Sequence, residues 1–276
     1  MSLGGRAEMA RLRRAVAEIE GTGLQRAGLR LPLARALDPA LGGGLADDAL
    51  HEIAPAEPAD GAAATGFALA LAARFLKQRP SSALFVGEGF AEREAGALYG
   101  PGLAAHGLPL SRLVFVQAPD AEAAFWAMEE ALKCGAPAAV VGEIWSLKGY
   151  SLAASRRLLL AARKGGAPAL LVLASAYGQA DRLSSAAETR FEIAAAPSAK
   201  IPAAAGRDLP GPFACRTRLV KARLTSPSEG PAEEVNVARA VRLEWRSEER
   251  TFDDPAISLS LAAASGDGPR PAARGH

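Results

Sequence analysis

Cysteine is scarce in this chain of 276 residues, and its two cysteines, Cys134 and Cys215, form no C-x-x-C pair. They read as isolated buried thiols rather than a disulfide or a metal clip, which fits a reducing, cytoplasmic compartment. Histidine is equally sparse. His51, His106 and His276 are too scattered to be metal ligands, and no Ser-His-Asp or paired-carboxylate arrangement can be argued from the spacing. Excess charge is also missing: a formal net charge of +2 announces no overall basic field for nucleic acid, although such a total hides any local patch. Uninterrupted apolar runs of the roughly 20 residues that a membrane helix needs are lacking, because charge, Gly or Pro breaks the alanine-rich stretches. The first 20 residues carry Arg6, Glu8, Arg11, Arg13, Arg14, Glu18 and Glu20, so they hold no apolar signal-peptide core. We therefore expect neither secretion nor membrane insertion.

What is present is organised. Met9, Leu12, Val16 and Ile19 recur at helical spacing within 6–20, and Gly21-Thr22-Gly23 then breaks the helix, so 1–23 reads as an amphipathic appendage. Its apolar stripe fits packing on its own core or on a partner subunit. From Leu50 onward short apolar strands alternate with longer helical stretches. Strands are expected at 51–54, 83–86, 113–117, 138–141 and 169–174, and helices at 63–78, 91–105, 121–134 and 152–163. Such alternation is the mark of an α/β fold with a mainly parallel sheet flanked by helices. After Phe191-Glu192-Ile193, a Pro/Ala/Gly linker is expected over 194–212, then two strands at 214–224 and 237–245 that form a C-terminal β-hairpin. The core is thus 24–250, and 251–276 is a tail whose end, 266–276, has too little apolar content to fold.

In open parallel sheets, phosphates bind where a strand passes into the next helix and backbone N–H groups converge. The stretch from His51 to Phe67 has that position. A P-loop, G-x-x-x-x-G-K-[ST], needs a lysine for the β/γ-phosphates and a hydroxyl for Mg²⁺. Here Gly61 is followed by Ala62 and Ala63, no Gly-Lys dipeptide occurs anywhere, and the first lysine is Lys77. Glu57 and Asp60 would repel a polyphosphate by about 1–2 kcal/mol each, and Pro55 and Pro58 subtract two N–H donors. No cofactor is expected there.

Upstream of this loop, Leu37-Asp38-Pro39-Ala40-Leu41-Gly42-Gly43-Gly44-Leu45 leads through Leu50-His51-Glu52-Ile53. This resembles the approach to the P-loop in RecA-type recombinases. Phe125-Trp126-Ala127-Met128-Glu129-Glu130-Ala131-Leu132-Lys133-Cys134-Gly135, running on to Val140-Val141-Gly142-Glu143, resembles the ImuA family, as does the stretch around Ser155-Arg156-Arg157-Leu158. The resemblance spans roughly 30–250 and implies a RecA-like P-loop-type core. It also implies a role in SOS-induced, error-prone translesion synthesis beside an ImuB-like inactive Y-family-like polymerase and an error-prone replicative-type polymerase. RecA and single-stranded DNA are further partners to consider. Against a recombinase, Glu143 stands where the Walker B aspartate is expected, and Ala174-Ser175 replaces the Asn-Gln pair that senses the γ-phosphate. Glu143 reads better as a structural carboxylate than as a Mg²⁺ ligand. Glu88, near the place of the water-activating glutamate, reads as a solvated loop acid.

The recombinase's two DNA-binding loops would fall at 145–151 and 176–185. Trp145, Lys148, Tyr150, Tyr177 and Arg182 supply modest stacking and charge there, against the alternative that the aromatics are packing residues. Arg216, Arg218, Lys221 and Arg223 form a second basic cluster, with Arg216 and Arg218 on one face of a strand and Lys221 and Arg223 on the other if no bulge intervenes. Protection of an edge strand explains them as well as a DNA or partner patch does. The sequence therefore points to a non-catalytic adaptor, with a DNA-binding RecA-type ATPase and a SulA-like inhibitor of cell division as the alternatives.

Overall fold

The computed structural model describes residues 29–202, 208–223 and 239–254; the helix expected at 6–20 and the tail at 266–276 lie outside them. A short antiparallel pair, β1 (Arg30–Leu31) and β2 (Leu45–Ala46), precedes the body. Then follow β3 (Leu50–Pro55), α1 (Gly61–Gln78), β4 (Ala83–Glu88), α2 (Gly89–Ala95), α3 (Gly100–Ala105), β5 (Leu113–Ala118), α4 (Ala121–Cys134), β6 (Ala139–Ile144), α5 (Leu152–Gly165) and β7 (Ala169–Leu173). The chain continues through β8 (Thr189–Ala195), β9 (Lys200–Pro202), β10 (Asp208–Pro210), β11 (Ala214–Ala222), β12 (Val241–Arg246) and β13 (Thr251–Asp253).

Nine strands form one sheet in the order β13-β12-β11-β8-β3-β7-β6-β4-β5. The six from β8 to β5 are parallel, and β11, β12 and β13 add to β8 antiparallel. This is the α/β architecture expected from the βα alternation. The central strands are apolar on both faces because both are covered: every residue of β3, β6 and β7 is buried. One face packs on α1 and on the 31–45 segment, the other on α4 and α5. By length and apolarity α1 could cross a bilayer, but it is the central core helix, with Phe67, Leu71 and Phe75 fully buried.

Local chemistry sets the helix ends. The Asp120 carboxylate accepts the Ala123 N–H at 2.9 Å to start α4, and Ser151 does the same for Ala154 at 3.2 Å to start α5. Gly135 and Gly166 end these helices in the left-handed conformation. Met128 on α4 lies against Gly142 of β6, where any added Cβ would collide with it, so the missing side chain at 142 lets helix and sheet approach there.

Four expectations change. The helix expected at 91–105 is two helices, because Gly96 adopts φ +82° and Pro101 lacks the N–H that continuity would need. The linker expected at 194–212 holds the end of β8 and the β9–β10 pair. A bulge between Leu219 and Lys221 interrupts β11, so strict alternation fails there: Lys221 reaches the 181–192 region, as Arg218 does. Cys215 is buried as expected, whereas Cys134 at the end of α4 is exposed, which corrects its reading as a buried thiol.

Candidate functional site

Because β3, β4, β6 and β7 are parallel, their carboxyl ends deliver loops to one end of the sheet. The loop after β3 is the one expected to be a degenerate P-loop. Its fold is closed by its own carboxylate. Asp60 accepts the Glu57 N–H at 3.1 Å and reaches across to the Ala195 N–H of β8 at 2.8 Å. An anion-binding loop would turn its N–H groups toward a ligand; here the Glu57 N–H turns toward Asp60. Pro58 begins the single 3-10 turn 58–60, Glu57 and Ala62 are exposed, Gly61 is half-buried, and Ala63 points into the core.

Next to this loop, two glutamates serve the loop after β6. Glu88 is 7% exposed and accepts the backbone N–H groups of Trp145 at 2.8 Å and Ser146 at 3.0 Å. It is a buried anchor, which corrects its reading as a solvated acid. Glu143 accepts the Trp145 indole N–H at 3.0 Å and is hydrogen-bonded to Thr65 of α1. Burial raises its pKa, and these two donors partly offset the rise. With its partners supplied by an indole and a hydroxyl, Glu143 ties β6 to α1, in line with the structural role expected of it.

Beside these groups opens a groove of about 590 Å³ between α1, β4, β5, α2 and the turn after α2. Leu69, Phe85, Ala91, Leu98 and Phe115 wall it, and Glu88, Glu92 and Glu143 lie along it. Among the described residues that line it there is no lysine or arginine. Pro58, Gly61, Ala62, Glu88, Glu143 and Trp145, which the sequence singled out, line it too, but its apolar wall of Leu69, Phe85, Leu98 and Phe115 comes from separate segments and follows no sequence pattern.

The proposed DNA contacts divide. Trp145 is half-buried, its ring edge-on to Phe90 at 5.8 Å. Tyr150 donates its hydroxyl to Glu52, and burial beside that carboxylate pushes its pKa well above the ordinary value. Both are engaged inside the fold, whereas Lys148, Tyr177 and Arg182 are exposed. Of the second cluster, Arg216 and Arg223 are exposed. Arg218 is taken up by Glu192 at 2.9 Å and Asp181 at 3.0 Å, which raises its pKa.

Lys221 belongs to a buried network that sequence reasoning missed. Glu52, fully buried in β3, pairs with Arg190 of β8 at 2.7 Å, and Arg190 also donates to the carbonyls of Ala180 and Leu183. Ser185 donates to Glu52 at 2.9 Å. Lys221 donates to the Ser185 carbonyl at 2.7 Å and to its Oγ at 3.2 Å, and desolvation brings the lysine pKa down to about 8. A serine beside a lysine of lowered pKa could form a nucleophile and base. Here Ser185 is 3% exposed and its Oγ already serves Glu52, Arg190 and the Ala187 N–H, so the pair fastens β8 and β11 to the loop after β7.

No protein-family model and no curated protein matches the chain. Many solved structures are similar to it, and two illustrate the likeness. The RadB recombinase matches at 16% identity with a TM-score of 0.48, over 80% of this chain and 97% of that one. SulA from Pseudomonas aeruginosa matches at 22% identity with a TM-score of 0.36, over 45% of this chain and 96% of that one.

Proposed function

We propose that this chain is a non-catalytic adaptor of SOS-induced, error-prone translesion synthesis, with a RecA-like core that has given up nucleotide chemistry and acts through its partners. The observation that carries the reading is the Asp60 carboxylate, which takes the Glu57 N–H of the strand-to-helix loop and the Ala195 N–H of β8, in a sequence without a lysine there. A further support is the occupation of Glu143 and Glu88 by protein donors, because acids that hold a loop together are not free for Mg²⁺ or water. The ImuA resemblance supplies the partners: an ImuB-like inactive polymerase and an error-prone replicative-type polymerase, with RecA or single-stranded DNA as further contacts.

Capture of the two purified polymerase-type proteins on immobilised protein, with and without Mg-ATP, tests this reading. Capture indifferent to ATP is expected. ATP-dependent binding of single-stranded DNA, followed by fluorescence anisotropy, would favour a RecA-type ATPase instead. Selective capture of the division tubulin homologue would favour the SulA-like inhibitor.

A further inference from the structure

We propose that the groove between α1, α2 and β5 is a docking site for a partner protein that presents an arginine or lysine side chain next to a large apolar one. Charge and shape argue for this occupant together. The walls, including Leu69, Phe85 and Phe115, are apolar, whereas the charged groups along the groove, Glu88, Glu92 and Glu143, are all carboxylates. The nearby Arg93 lies 5.7 Å from the centre of the Phe90 ring and does not line the groove. A phosphate or an acidic peptide would meet repulsion there. A long basic side chain satisfies both features, since its methylene stem covers apolar wall while its head reaches the exposed carboxylate of Glu92; Glu88 and Glu143, already held by protein donors, add only negative charge deeper in the groove.

The uncovered apolar surface extends beyond the cavity, which favours a protein over a small amine. Tyr99 is 72% exposed and Phe115 51%, both lining the groove, and Phe90 of α2 and Leu110, next to Gly100, are exposed as well. Exposed apolar side chains around an apolar cavity are costly to leave in water and mark interaction sites. The inference adds a docking surface to the adaptor reading and rests on it only in taking the occupant to be a protein.

The test uses the full chain and a fluorescein-labelled peptide of alternating leucine and arginine, with two control peptides in which glutamine or glutamate replaces every arginine. Anisotropy should show saturable one-site binding of the arginine peptide, at least about tenfold tighter than the glutamine peptide, with no measurable binding of the glutamate peptide. Ala95 is an exposed lining residue in the last turn of α2. Ala95→Arg places a cation in the groove at a helix end that favours one, and should weaken the arginine peptide at least about tenfold with an unchanged melting curve. Glu92→Gln, on the same exposed face, should weaken it about threefold.

Equal binding of the arginine and glutamine peptides, or full binding by Ala95→Arg, would overturn the proposal. So would concentration-dependent dimerisation in sedimentation that Ala95→Arg abolishes, because the occupant would then be a second copy. Polymerase capture that survives Ala95→Arg would remove the groove and leave the adaptor reading. Peptide binding without polymerase capture would do the reverse.

Discussion

Asp60 Oδ1 accepts the backbone N–H of Ala195 at 2.8 Å, joining the loop after β3 to the end of β8. Two strand ends are held by one carboxylate at the point where a nucleotide-binding fold would hold a phosphate. Asp60→Ala should cost about 1 kcal/mol, as the loss of a partly exposed capping carboxylate does, and should speed hydrogen exchange at the Ala195 amide. Asp60→Asn keeps an acceptor and should fall between the two. Exchange at Ala195 unchanged in Asp60→Ala would remove this role.

A second prediction concerns Glu52 and Arg190. Arg190→Met leaves the Glu52 carboxylate uncompensated in the core and should destabilise by about 3–5 kcal/mol in urea unfolding. The double variant Glu52→Leu with Arg190→Met should recover a large part of that loss. A double variant as unstable as the single one would mean that packing, not charge, governs the site.

His51 predicts a pH dependence. Its ring is fully buried, with Nε2 donating to the Ala46 carbonyl at 2.8 Å and Nδ1 accepting from the Thr189 hydroxyl at 2.8 Å, which fixes the neutral tautomer. Desolvation lowers its pKa to about 4 from the ordinary 6.5. The folded pKa lies below the unfolded one, so the stability linked to neutral His51 is fully present above about pH 6.5. It is lost as pH falls toward and through about 4, to a total near 3 kcal/mol. Glu143 and Glu188, whose pKa values burial raises, act in the opposite sense, so the informative quantity is the difference from a variant. His51→Gln should flatten the fall in melting temperature between pH 7 and 4; parallel curves for the two proteins would contradict the assignment.

Gly165 supplies a packing test. A Cβ there would run into the Leu132 carbonyl of α4, which is backbone and cannot swing aside. Gly165→Ala should cost about 1–3 kcal/mol by overpacking. An unchanged melting temperature would show that α4 and α5 can separate.

Much of this architecture is legible in the sequence. Period-2 and buried-run patterns place β3 to β7, and α4 begins at Ala121 and ends at Cys134 as expected, because Asp120 and Gly135 are clear start and stop signals. Long-range bonding is what the sequence conceals. Asp60 reads as a repellent to phosphate, but its contact with Ala195, 135 residues away, depends on the parallel pairing of β3 with β8. Tyr150 and Lys221 read as surface contacts because nothing local reveals Glu52 and Ser185 beneath them. The same holds for the apolar wall of the groove, whose Leu69, Phe85, Leu98 and Phe115 come together from α1, β4, the turn after α2 and β5.

The adaptor reading requires that the loop after β3, whose Glu57 N–H is taken by Asp60, binds no nucleotide. The most direct measurement is titration of the purified chain with a fluorescent ATP analogue and Mg²⁺, with phosphate release followed in parallel, on the native sequence and on Ala62→Lys. No saturable binding up to about millimolar concentration, and no turnover above a mock-purified control in either protein, is the predicted result. Micromolar binding by the native chain, or hydrolysis restored by the single lysine, would contradict it.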